Sequence, residues 1–258
     1  MKLTISKEDY LKAVAEAEEE SDQAVSSAIL RRRLGVSAPA VTAALRRLKR
    51  DGLLRVRPAG VIRLTESGRE ITAKLLRRHY LIERMLTEVF AMEWYKVHEE
   101  AERLEHAVSD DFEGRLVERL GTDAPCPHGH HVEGRSPTGR RGRGWRLLGD
   151  LTAGQSGKVR AVYERDRGLL EYLDRVGLRP GVRVELTSRD VDETLALRVG
   201  GAPVKVGSSI GARVWVSPVV ETDGTPPKVS SRRVHSRSTR RGRARRRTGT
   251  QRRTPRPV

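Results

Sequence analysis

Cysteine, aromatic residues and long apolar runs are the scarce features of this 258-residue chain, and each scarcity closes off a class of protein. A single cysteine, Cys126, allows no intramolecular disulfide, so a reducing, cytoplasmic compartment is expected. Aromatics are 4% of the chain against 36% hydrophobic residues overall, so the core must be aliphatic. No apolar run approaches the roughly 18 residues that span a bilayer, and no N-terminal signal pattern is visible. Neither a membrane protein nor a secreted one is expected. The chain also lacks a Ser/His/Asp or Cys/His set in the context of a catalytic triad. Gly154-Gln155-Ser156-Gly157-Lys158 misses the spacing of a phosphate-binding loop and precedes a strand. No catalytic residue and no small-molecule substrate are therefore expected. A metallohydrolase would need an open coordination position and a substrate cleft, and no sequence feature announces either.

Positive charge, by contrast, is abundant and uneven. Of a net +17, residues 221–258 contribute 13 Lys/Arg against 2 acids, and residues 135–146 add five Arg with no acid. The excess belongs to a tail and a linker, and it predicts a polyanionic partner, nucleic acid before a membrane surface. The segment after Val220 has almost no apolar residue and should be disordered, because nothing offsets the entropy of ordering it.

Residues 1 to about 120 carry apolar positions at helical spacings of three and four. The stretch Gly121 to about Gly144 is rich in Gly, Pro and Arg and aperiodic. From Trp145 to Val219 short alternating runs are separated by turn residues, which predicts a small β-barrel interrupted by one helix at about Arg167 to Val176. The chain as a whole reads as multidomain and mainly α.

The sharpest local pattern lies in residues 26–65. Ser26 caps a helix carrying Ile29, Leu30 and Leu34, Gly35 suits a left-handed turn, and Ser37 caps a second helix with Val41, Leu45 and Leu48 on one face. Leu53 to Arg57 and Val61 to Leu64 follow as a hairpin. This is a winged helix-turn-helix. Ser37, Pro39, Ala40, Thr42 and Ala43 would approach bases of double-stranded DNA, and Arg47 and Arg50 its phosphates. A helix-turn-helix kept as a packing module, or used for protein contact, is the plainer alternative.

Six of the seven histidines fall in two groups. On a helix spanning 95–110, His98, Glu102 and Glu105 form a stripe with His106 beside it. His79 and Glu83 repeat the pairing at i,i+4 on the preceding helix. Residues 93–113 hold eight acids against Lys96 and Arg103, a self-repelling cluster that a cation would relieve. Histidine with carboxylates is a divalent-metal ligand set. A solvated helix edge with salt-bridged histidines is the alternative. Cys126, His128, His130 and His131 lack zinc-finger spacing and read as a polar linker.

Tyr10-Leu11-Lys12, Leu34 to Gly52, His79 to Glu83 and the string Val97-His98-Glu99-Glu100-Ala101-Glu102-Arg103-Leu104-Glu105-His106-Ala107-Val108-Ser109-Asp110 resemble the diphtheria toxin repressor family of metal-dependent transcription repressors. Pro127-His128-Gly129 and the segment Gly177 to Val216 resemble its interdomain loop and C-terminal SH3-like domain. The resemblance implies a winged helix-turn-helix over 1–73, a helical dimerisation and metal-binding domain over 74–122, a linker over 123–146, an SH3-like domain over 147–219 and a basic tail over 220–258. It implies a homodimer on palindromic operators of metal-homeostasis genes. It assigns Asp9, Glu102, Glu105 and His106 to a primary metal site, and His79, Glu83, His98 and Glu164 to an ancillary one.

Four departures qualify the transfer. Arg167 stands where the family offers a Gln ligand, and Tyr80 where an Arg helps hold an anion. Ala43 replaces a base-contacting Gln. Lys12 replaces a Glu of the two-domain manganese members, which argues for two separated sites per subunit rather than a closely spaced pair. The iron branch carries Cys at the position of Glu102, the manganese branch Glu. Oxygen ligands with one imidazole suit hard Mn2+, with Fe2+ as the alternative. Deleting residues 221–258 should weaken nonspecific DNA binding and lower its salt slope, about 0.9 log units per neutralised phosphate, with metal activation intact. Salt titrations of both chains measure this, and an unchanged slope would mean an idle tail.

Overall fold

A computed structural model describes residues 4–20, 24–131 and 139–218; the expected disordered tail and part of the linker lie outside the described residues. The chain begins with α1 (Ile5–Glu20), which is buried on nearly every side from Tyr10 to Ala17. Ala13, Ala15 and Ala17 are small enough to let neighbouring helices approach it closely. Lys12 and Glu16 are buried along with them, so this central helix carries charge into the interior.

Next come α2 (Ser27–Leu34) and α3 (Ala38–Arg50), capped by the Ser26 and Ser37 hydroxyls, which accept from Ile29 N and Ala40 N. Gly35 ends α2 with φ of +64°, a conformation that costs glycine nothing. Val41, Ala44 and Leu48 bury the inner face of α3 and leave Pro39, Ala40, Thr42, Ala43, Arg47 and Arg50 exposed. β1 (Leu54–Val56) and β2 (Ile62–Leu64) pair antiparallel across the Pro58–Gly60 turn, with Val56 opposite Ile62. The winged helix-turn-helix read from the sequence is present.

The long α4 (Glu66–Glu88) then runs past α1 and packs against α5 (Val97–Leu104) and α6 (Asp110–Leu120). The helix expected over 95–110 is shorter. It ends at Leu104, Glu105 caps it, and His106 lies in the turn before Ser109 caps α6. The helical core runs continuously from Leu11 and Val14 through Leu48, Leu81 and Ile82 to Val97 and Cys126.

A one-turn α7 (Gly139–Gly142) precedes β3 (Arg146–Leu147), β4 (Ser156–Val162), α8 (Arg167–Arg175), β5 (Arg183–Arg189), β6 (Leu195–Val199), β7 (Ala202–Val206), a one-turn α9 (Ser208–Gly211) and β8 (Val214–Pro218). The six strands form one antiparallel sheet in the order β3-β8-β4-β5-β6-β7, with bulges in the β4–β8 and β5–β6 pairings. Bulges of this kind bend strands and help a small sheet curl around its core. Leu195, Leu197 and Val199 alternate inward on β6, and Leu169, Leu170 and Leu173 of α8 close the core. This is the SH3-like barrel. Trp94, from the loop before α5, joins its core, so the barrel is seated against the helices.

Candidate metal centre

Two groups of ligand-type side chains converge where α1, α4 and α5 meet the barrel. In the first, ligand atoms of Asp9, Glu105 and His106 lie within 4.8 Å of one another. Asp9 comes from α1, and the other two from the turn that ends α5. His106 Nδ1 faces Glu8 Oε2 at 2.7 Å, while its Nε2 stands 3.5 Å from both Asp9 Oδ1 and Glu105 Oε1. Glu8 thus orients the ring and leaves Nε2 as the donor directed into the cluster, the arrangement found around metal-ligating histidines. Glu8 was not anticipated, since only the fold shows which face of α1 meets His106.

Glu102, expected in the same set, is not part of this convergence. Its Oε1 lies 3.3 Å from Arg165, 3.6 Å from His98 Nε2 and 3.7 Å from Lys12 Nζ. Lys12 itself is 1% exposed and donates to both oxygens of Glu105, at 2.6 and 2.8 Å. Burial works against the charge on Glu105, but His79 and Lys12 outweigh it and hold the carboxyl down at about 2. Asp9 is raised, chiefly by burial.

The second group is wholly buried and larger than expected. His79 Nε2 meets Glu83 Oε1 at 3.0 Å and His98 Nδ1 at 3.1 Å, and His98 Nδ1 stands 3.9 Å from Glu164 Oε1. The expected ancillary residues therefore come together, Glu164 arriving from the turn between β4 and α8. Arg167 instead pairs with Glu171 and Glu99 at the surface. His79 Nδ1 donates to Glu105 Oε2 at 2.6 Å, which joins the two groups.

Cys126 and His128 complete this second group, their ligand atoms lying within 4.8 Å of those of Glu83 and Glu164. The reading of these residues as a polar linker does not hold. His128 is fully buried, and Cys126 is 2% exposed. The turn is pinned by hydrogen bonds from Cys126 N to His130 O and from Val162 N to His128 O. Gly129, with φ of +90°, sits where a Cβ would lie 1.8 Å from the carbonyl oxygen of Arg160, so only glycine lets the loop dock on β4.

His128 Nε2 donates to the Trp94 carbonyl at 2.9 Å, which directs Nδ1 to Glu83 Oε1 at 3.2 Å and Glu164 Oε2 at 3.4 Å. Neither contact has hydrogen-bond geometry. Glu83 Oε2, His128 Nδ1 and Glu164 Oε2 are buried without a hydrogen-bond partner among the described residues. Burial opposes charge on all three residues, and neighbouring groups of opposite charge overcome it. Glu83 is held well below the usual carboxylate range by His128, Glu164 by His130 and His128, and His128 is raised well above its ordinary value by Glu83. Burial, then Glu83, push the Cys126 thiol well up.

Three domain families match the chain: iron dependent repressor, N-terminal DNA binding domain, over residues 2–61; iron dependent repressor, metal binding and dimerisation domain, over 65–132; and FeoA domain, over 146–218. The diphtheria toxin repressor of Corynebacterium efficiens is 34% identical over 189 residues, covering 69% of this chain and 81% of that protein. The iron-dependent repressor IdeR of Mycobacterium tuberculosis is 39% identical over 127 residues, covering 49% of this chain and 55% of its own. Among solved structures, a manganese-dependent transcriptional repressor in complex with manganese superposes with a TM-score of 0.74 at 32% identity, over 83% of this chain and 100% of that one. ScaR with bound Cd2+ gives 0.70 at 27% identity, over 83% and 99%.

The second cluster has a pH signature. Burial and Lys12 oppose protonation of His79, yet Glu83 and Glu105 raise it from 6.5 to about 9. A folded-state value above the unfolded one contributes stability that is complete below 6.5 and lost as pH rises toward 9. In chelator the Tm should fall across that window, and His79→Gln should make the decline shallower. Differential scanning fluorimetry measures both, and a flat wild-type profile would refute the assignment.

Proposed function

The chain belongs to the iron-dependent repressor family of metal-dependent transcriptional regulators, and from that premise we propose that a divalent cation at each of two clusters per subunit switches it into an operator-binding homodimer in the cytoplasm. The carrying observation is the meeting of Asp9 with Glu105 and His106. Asp9 rides on the helix that packs against α2 and α3, whereas the other two ligands end α5. An ion held between them would tie the winged helix-turn-helix of residues 1–73 to the helical domain of residues 74–122. It favours DNA binding only if it binds that arrangement more tightly than the alternative.

The donor chemistry fits such ions. The first cluster offers two carboxylates and an imidazole, a hard set suited to Mn2+. In the second, Glu83, Glu164, His128 and Cys126 converge, with His79 and His98 alongside. An ion there would supply the positive charge that protons on His79 and His128 otherwise provide, and would stabilise the Cys126 thiolate. The thiolate makes this set softer than Glu102 alone would have implied, which widens it toward Fe2+ and later metals. We retain Mn2+ as the effector on the strength of the first cluster, with Fe2+ as the alternative.

Exposed Ser37, Pro39, Ala40, Thr42 and Ala43 suit contact with base edges, and Arg47 and Arg50 contact with phosphates. Arg55, Arg57, Arg63 and Arg69 gather around a cleft at the wing and extend the positive face. Val89, Phe90 and Phe112 are exposed apolar side chains within the segment matched to a dimerisation domain, and a second copy of the chain is the partner that suits them.

Fluorescence anisotropy on the gene's own upstream DNA, with chelator, Mn2+ and anaerobic Fe2+ in parallel, tests the reading. Tight binding should need metal, and His106→Ala or Glu105→Gln should abolish the metal response with the fold intact. Binding indifferent to chelator would overturn the proposal in favour of a metal-independent architectural protein. Cys126→Ser should remove the near-ultraviolet thiolate band of the Co2+-loaded protein, and a retained band would exclude Cys126 as a ligand.

A further inference from the structure

Arg165 follows Glu164 in the turn between β4 and α8, and its side chain is 15% exposed. Its Nε donates to Glu16 Oε2 at 2.9 Å, and its Nη2 lies 3.3 Å from Glu102 Oε1. Glu16 Oε2 also accepts from Arg33 of α2 at 3.0 Å. One guanidinium from the barrel therefore joins α1 to Glu102, and through the shared Glu16 reaches the first helix of the helix-turn-helix. Burial and carboxylate contact act on it together, and the carboxylates prevail: Glu16 first, then Glu102, raise its already high basicity, so it remains a fixed cation.

Glu102 is the carboxylate that the Asp9, Glu105 and His106 cluster lacks. It is 38% exposed, far more than Glu16 or Glu105, and it borders an open cleft of about 530 Å³ that Asp9, His106 and Arg165 also line. The cleft gives Glu102 room to turn toward His106. Once it turned, Arg165 would lose one of the two carboxylates it meets and keep Glu16, which also accepts from Arg33. Partly buried charges deprived of a partner raise the energy of that state, and a divalent ion nearby adds repulsion with the guanidinium.

We propose that Arg165 sets the metal affinity of the first cluster by holding Glu102 as its counter-ion, so that an ion there gains Glu102 only by taking it from the barrel. The inference rests on the reading of Asp9, Glu105 and His106 as a metal site. Arg165 is then a positioning residue and touches no ion. The SH3-like domain tunes the metal threshold through it, independently of the Glu164 ligand.

The test is a Mn2+ titration of the full chain in competition with a fluorescent chelator. Co2+ serves as a second probe, because its thiolate band reports the Cys126 cluster separately. Arg165→Met should tighten the His106-dependent site by about tenfold, the scale of one contact of roughly 1.4 kcal/mol. In a Glu102→Gln background the same substitution should have no effect, which a merely structural role would not produce. Should Arg165→Met fail to fold, Arg165→Gln keeps a donor toward Glu16 and should give the same shift. Unchanged or weaker affinity, or a gain that survives Glu102→Gln, overturns the proposal. A wild-type chain with no His106-dependent site would sink the metal reading of the cluster and this inference with it.

Discussion

Buried carboxylates at the junction of α1, α4, α5 and the barrel need positive charge, and most of the architecture follows from how they obtain it. Glu83, Glu105 and Glu164 are almost fully removed from water. An uncompensated carboxylate there would be prohibitive. Within the chain the compensation comes from Lys12 and from protonated His79 and His128. Protons and a divalent ion are alternative answers to the same demand. This is why a cluster whose charge is offset by imidazolium groups also offers the donor set of the proposed metal site.

The same demand explains why three parts of the chain cannot be considered separately. α1 is buried because it supplies Asp9, Lys12 and Glu16 to the junction while packing on the DNA-reading helices. The barrel contributes Glu164 to the second cluster and, from the adjacent position, Arg165 to Glu16 and Glu102 beside the first. The Cys126–His131 turn docks on β4 through a position where only glycine fits. A restraint on any one of these contacts acts on the other two, and that is the route by which the proposed cation would reach α3.

Much of this was legible in advance where the signal is local. The caps Ser26 and Ser37, the left-handed Gly35 and the apolar spacing of Val41 and Leu48 depend on neighbours within a few residues. The strand at Leu195 to Val199 likewise rests on alternation alone. The i,i+4 pair of His79 and Glu83 was visible because helical geometry is periodic. The end of α5 was less so: a favourable stripe continued to Val108, while the backbone turned after Leu104 and carried His106 to Glu8.

Composition and periodicity by themselves determined the winged helix-turn-helix, the barrel and the residue types available for binding metal, because those features are set by short-range sterics and by the burial of apolar faces. Tertiary structure alone decided which ligand-type side chains meet. Cys126 and His128 lie over forty positions from Glu83 and more than thirty-five from Glu164, and no spacing rule joins a turn to a helix and a strand end. Glu102 matched the expected motif, yet its partner is Arg165, because a carboxylate goes to the nearest cation in three dimensions and not to the one its helix position implies.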